Sequence, residues 1–103
     1  MSTYTPDRWV IVEMTADDGT KLKKVLASYY GGFGGSDSWK LSSGVTETVE
    51  YDNRYEFLNY SGSTYICHKQ AYGMSNYTSM ILSGWQEELP GKVDLLEGYQ
   101  IPL

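Results

Sequence analysis

The sequence predicts a mainly β domain of the α+β type. We expect a twisted antiparallel sheet or small barrel of about five strands, with one helix near residues 75–89 packed on it. Short segments rich in β-branched and aromatic residues alternate with turn residues over most of the chain. After Ser75 the spacing of apolar residues changes to three and four, which is the helical period. A length of 103 residues predicts a single domain that spans residues 1–103.

The first two strands are predicted to form a hairpin. Residues 9–14 are rich in β-branched and aromatic side chains, and Asp18-Gly19 follows them. Asp-Gly suits a tight hairpin turn, because glycine accepts the positive φ that such a turn requires. In the next segment, residues 20–29, Lys21 and Lys23 share one face, and Leu22 between them is on the opposite face. A short helix would also fit this composition, but the turn favours a second strand paired with the first.

Further strand signals follow at short and fairly regular spacing. They cover residues 39–41, 45–51, 54–60 and 64–69, and turn residues separate them at 42–44, 52–53 and 61–63. Within residues 45–51, Val45, Val49 and Tyr51 are expected on one face together with Glu47. Residues 93–96 either add an edge strand or lie across the sheet.

The helix is the clearest single element. Ser75 or Asn76 is a good N-cap, and Pro90-Gly91 ends the segment. Between them the apolar positions recur at helical spacing: Tyr77, Met80, Ile81, Leu82, Trp85 and Leu89. The pattern predicts that Met80, Ile81 and Trp85 pack onto the sheet.

Composition bounds the partners and the compartment. The net charge is −5, so the chain lacks the basic footprint of nucleic-acid binders, and nucleic acid is an unlikely partner. No signal peptide and no membrane-length apolar run is apparent, and the one cysteine, Cys67, forms no internal disulfide. We therefore expect a cytoplasmic protein with no membrane partner. No cofactor is predicted.

The sequence contains no recognisable catalytic or metal-binding pattern. Cys67 and His68 are adjacent on a predicted strand, where neighbouring side chains point to opposite faces, so they do not form a dyad. His68 is the only histidine, and no ligand spacing surrounds it. Glu47 and Glu56 could face each other across neighbouring strands, but the register is open. No catalytic residue and no metal site is predicted.

A glycine-aromatic segment between residues 28 and 39 is the candidate binding element. It contains four glycines and four aromatic residues, and the aromatic residues are the predicted partner-binding residues: Tyr29, Tyr30, Phe33 and Trp39. A phosphate loop is disfavoured, because no helix start and no lysine follow the glycines. Two possibilities remain open: the aromatic residues fold back into the core, or they form an exposed contact loop.

The predicted function is a non-enzymatic module for protein interaction or homo-oligomer formation, which uses this segment and nearby surface tyrosines. Two alternatives belong to different functional classes. One is a small enzyme with a pocket centred on His68. The second is a weak binder of single-stranded nucleic acid, in which tyrosines stack on bases beside Lys21 and Lys23.

Overall fold

The computed structural model describes residues 2–31 and 35–101. Within them, eight strands and one α-helix follow each other along the chain: β1 (Thr3–Tyr4), β2 (Arg8–Thr15), β3 (Lys21–Tyr29), β4 (Ser38–Leu41), β5 (Val45–Glu50), β6 (Arg54–Asn59), β7 (Thr64–His68), α1 (Asn76–Glu88) and β8 (Val93–Leu96). Two single 3₁₀ turns lie at Lys69–Ala71 and Gly98–Gln100. The predicted mainly β class with one helix is confirmed.

The strands form two four-stranded sheets, whereas the sequence predicted about five strands in one sheet or barrel. The outer sheet has the order β1-β7-β6-β5, and the central sheet has the order β4-β3-β2-β8. Neighbouring strands are antiparallel except β1 and β7, which are parallel. The additional strands are β1 and β8, which are short and pair with partners distant in sequence.

The central sheet lies between the outer sheet and the helix. On one face, Trp9, Ile11, Val25 and Ala27 pack against Phe57, Tyr65 and Cys67 of the outer sheet. On the other face, Val10, Val12 and Leu26 pack against Leu82 of α1. Because both faces are covered, β2 is a continuous apolar run rather than an alternating one. The molecule therefore has three layers: sheet, sheet and helix.

The first hairpin forms as predicted. β2 and β3 are paired antiparallel from Arg8 with Ser28 to Thr15 with Lys21. Gly19 in the turn has a φ of 88°, which is why glycine is required there. The Asp18 carboxylate accepts a hydrogen bond from the backbone N–H of Thr20 at 2.9 Å, and this bond lowers the pKa of Asp18. Of the two possibilities left open for residues 93–96, the structure shows an edge strand, β8, which pairs antiparallel with β2.

The helix begins where the sequence predicts, but its predicted buried face is partly wrong. Ser75 is the N-cap, and its hydroxyl accepts a hydrogen bond from the Thr78 N–H at 3.1 Å. Thr78 and Leu82 are the buried helical residues, whereas Met80 is 72% exposed. The backbone N–H of Ser75 donates to the Ser28 hydroxyl of β3, which ties the start of the helix to the central sheet. In this orientation of the helix Leu82 faces the sheet and Met80 points outward.

Within the described residues, no helix has both the length and the apolar character needed to cross a membrane. The helix α1 has only 13 residues, and polar side chains interrupt it throughout.

Candidate functional site: the glycine-aromatic loop and the surface clefts

The glycine-aromatic segment connects β3 to β4, and two carboxylates hold its base. The Tyr30 N–H donates to Asp7 Oδ2 at 2.9 Å, and the Gly31 N–H donates to Asp37 Oδ1 at 3.0 Å. Residues 32–34, which include the predicted contact residue Phe33, lie outside the described residues. We call residues 30–37 the contact loop.

Two glycines close the base of the contact loop by direct backbone approach. A Cβ atom built on Gly31 would lie 2.5 Å from the carbonyl carbons of Gly35 and Ser36. A Cβ on Gly35 would collide with the backbone oxygen of Gly31. Neither glycine has a positive φ. Both positions therefore need glycine for space, not for a left-handed conformation.

We expect Gly31→Ala to lower the free energy of unfolding by about 1–3 kcal/mol, because the backbone must shift to admit the new methyl group. Urea denaturation followed by circular dichroism measures the change. Gly98→Ala is the matched control, since a Cβ at Gly98 meets no atom of the described residues within 4 Å. If both variants were equally stable, the close approach of Gly31 and Gly35 would not constrain the loop.

The predicted contact aromatics point in different directions. Tyr30 is 50% exposed. Trp39 packs edge-on against Trp85 of the helix, with 5.1 Å between ring centroids, and is partly buried against the core between central sheet and helix. Tyr29 packs against the core between the two sheets. Burial raises the pKa of Tyr29, and its hydroxyl has no hydrogen-bond partner in the described part of the chain.

Cys67 and His68 lie on opposite sides of β7, as predicted. Cys67 is fully buried between the sheets, and burial raises the pKa of its thiol. The His68 side chain is exposed and lines none of the three clefts described below. Among residues 2–31 and 35–101, no three His, Cys, Asp or Glu side chains are grouped as metal ligands. This geometry lends no support to an enzyme centred on His68.

Charged side chains on the two sheets are held in local ion pairs. Glu47 is opposite Leu58 rather than Glu56, and the Glu56 carboxylate accepts a hydrogen bond from Arg54 Nε at 3.0 Å. On the central sheet, Glu13 lies 3.6 Å from the Lys21 ammonium and 3.5 Å from that of Lys23. The Lys21–Lys23 surface is therefore partly neutralised, and no observation favours single-stranded nucleic acid as its partner.

An aromatic cleft that the sequence analysis missed opens beside Trp9. It has a volume of about 200 Å³, and its lining residues come from four separate segments: Trp9, Tyr55, Lys69, Tyr72, Gly98 and Ile101. The rings of Trp9 and Tyr72 are perpendicular, with centroids 5.3 Å apart. The Lys69 ammonium lies 5.0 Å from the centroid of Tyr55. It also donates to Glu50 at 2.6 Å, and this hydrogen bond raises the pKa of Lys69.

Two further grooves flank the first hairpin. One, of about 360 Å³, lies between the hairpin and the end of the helix and is lined by Met14, Leu22, Lys24, Leu89, Lys92 and Val93, among others. The second, of about 260 Å³, is polar and lies between β3 and β5. No local sequence signal marks either groove, because long-range packing brings their walls together.

Comparisons of the chain with protein-family models, with curated proteins and with solved structures find no match.

Proposed function

We propose that this chain is a non-enzymatic interaction module whose contact loop binds a partner protein or a second copy of the chain. The observation that carries the proposal is the half-exposed ring of Tyr30, which is attached to a backbone held in place by Asp7. An aromatic side chain in this setting offers a large contact area. Because its backbone is already ordered, little conformational entropy remains to be lost on binding.

The remaining predicted contact residues take different roles in this proposal. Tyr29 and Trp39 are partly buried and pack against the two cores, and they lie on the strands that carry the loop. Tyr30 supplies a direct contact, and Phe33, which shares the loop in sequence, is proposed to supply another. Tyrosine-rich and glycine-rich surfaces bind in this way in other recognition proteins, since few side-chain torsions are immobilised.

A photocrosslinking experiment tests the proposal. Benzoylphenylalanine replaces Tyr30 in one variant and Tyr60 in a matched control; Tyr60 is 70% exposed and lies in the turn after β6. Both purified chains are irradiated alone and in extract of their source cells. We expect an adduct of defined mass from position 30, with excess wild-type chain competing for it but excess Tyr30→Ser chain not competing. No adduct at position 30, or the same adducts at both positions, would contradict a contact loop.

We further propose that the module works in the cytoplasm. The support is chemical: its one cysteine is a buried free thiol, which suits a reducing compartment. Fractionation of the source cells with an antibody against the chain tests this location, and recovery in a secreted or membrane fraction would contradict it.

A further inference from the structure

The face of α1 that points away from the central sheet exposes apolar side chains among polar ones. Tyr77 is 43% exposed and Met80 is 72% exposed, while Ile81 and Gly84 are half-buried. Met80, Ile81 and Gly84 follow Tyr77 by three, four and seven residues, so all four lie on one side of the helix. We call them the outer face of α1.

Gly84 on this face has no explanation within the described chain. It lies inside the helix, its φ is not positive, and a Cβ built on it would meet nothing within 4 Å. Glycine inside a helix costs about 0.5–1 kcal/mol relative to alanine. A small residue at such a place lets another backbone or a large side chain approach closely, so Gly84 leaves space for a contact from outside the chain.

The acidic residues of the helix lie at its C-terminal end, where they oppose the helix dipole. Glu87 and Glu88 lie in the last turn, no basic residue accompanies them there, and the first turn carries no acidic residue. Carboxylates are unfavourable at the C-terminal end of a helix and favourable at the N-terminal end. An antiparallel second helix would supply the missing complement, because its N-terminal end would lie beside these two carboxylates.

We propose that two copies of this chain associate through the outer faces of antiparallel α1 helices, around a two-fold axis near residue 82. In that arrangement Met80 of each copy lies over Gly84 of the other, and Glu88 lies beside the start of the other helix. The face is self-complementary. Met80 is a protrusion that fits the notch at Gly84, and the acidic C-terminal end of each helix meets the positive N-terminal end of the other. This complementarity selects a second copy over an unrelated protein.

The association is weak, since this single helix face is smaller than the ~800 Å² per partner of a standard interface. We therefore expect dimers to form in the micromolar range or above. The inference does not depend on the contact loop, which lies in a different part of the chain.

Sedimentation velocity from about 1 µM to about 1 mM protein tests the dimer, with three variants. Gly84→Ala is expected to raise the Tm of the dilute monomer, because it improves helix propensity, yet to weaken dimerisation at least tenfold. Glu88→Lys is expected to do the same, since lysine suits its own helix end but repels the positive end of the other helix. Tyr30→Ser, the matched control in the contact loop, is expected to leave the dimer unchanged.

Gly84→Ala and Glu88→Lys are expected to stabilise the monomer but weaken the dimer. A variant that only damaged the fold would lower both monomer stability and dimer affinity. A chain that stays monomeric at every concentration would overturn the inference, as would a dimer unaffected by Gly84→Ala and Glu88→Lys. A dimer abolished by Tyr30→Ser alone would assign self-association to the contact loop instead. That last result would support the proposed function while contradicting the helix-mediated dimer.

Discussion

Replacing Trp9 by alanine is expected to lower the free energy of unfolding by about 3–5 kcal/mol, the range for truncating a large buried aromatic side chain. Trp9 is 1% exposed and lies between the two sheets. Its ring contacts three other aromatic rings, those of Tyr55, Phe57 and Tyr72, at centroid distances of 5.3–5.9 Å. Natural domains of this size have about 5–15 kcal/mol of total stability, so this one change removes a large part of it.

The indole of Trp9 also forms a hydrogen bond that the smaller variant loses. Its Nε1–H donates to the His68 carbonyl at 2.7 Å and so connects β2 to the end of β7. Trp9→Phe keeps an aromatic ring but leaves that carbonyl without its indole donor, so we expect it to be less destabilising than Trp9→Ala.

Guanidinium chloride denaturation, followed by circular dichroism, measures all three Trp9 forms. Tyr99→Ala is the control, because Tyr99 is 87% exposed and its loss is expected to change stability by less than about 0.5 kcal/mol. A Trp9→Ala variant as stable as Tyr99→Ala would mean that the two sheets do not pack through Trp9.

The second large effect is expected at Leu82, on the buried side of the helix. Leu82→Ala is expected to cost about 2–4 kcal/mol, because it leaves a cavity between α1 and the central sheet. Met80→Ala, two residues away on the exposed side, is expected to cost less than about 0.5 kcal/mol in the dilute chain. The two variants form a matched pair, since each removes a similar apolar side chain from the same helix.

Thermal and urea unfolding at submicromolar concentration measure this pair, so that self-association does not contribute. If both variants lost the same free energy of unfolding, or if Met80→Ala lost more, Met80 would be on the buried side of the helix, as the apolar spacing predicts. The pair therefore tests the helix rotation directly.

The rotation of the helix shows where local pattern stops being informative. Six apolar residues, from Tyr77 to Leu89, cover more than half of the helix surface, so spacing alone allows two overlapping faces. Leu82 packs against Val10 and Leu26 of the central sheet, and this packing selects the buried face. These residues are far apart in the sequence, and no local rule connects them.

The contact loop shows a similar division. Its glycines and aromatic residues are evident in the sequence, as is the absence of phosphate-loop chemistry. The packing of Trp39, which follows the loop, against Trp85 depends on a contact between separate segments. The aromatic cleft beside Trp9 had no signal at all, because its walls come from four parts of the chain.

Local sequence is enough to predict the secondary structure of this protein: the first hairpin, the run of strands from residue 38 to residue 68, and the helix that Ser75 begins. These elements follow from residue period, turn chemistry and capping, all of which act over a few residues. Long-range packing sets the division of the strands into two sheets, the buried side of the helix and the set of aromatic residues that stay exposed. Those outcomes depend on burying apolar area between distant segments, a free-energy balance that no short stretch of sequence contains.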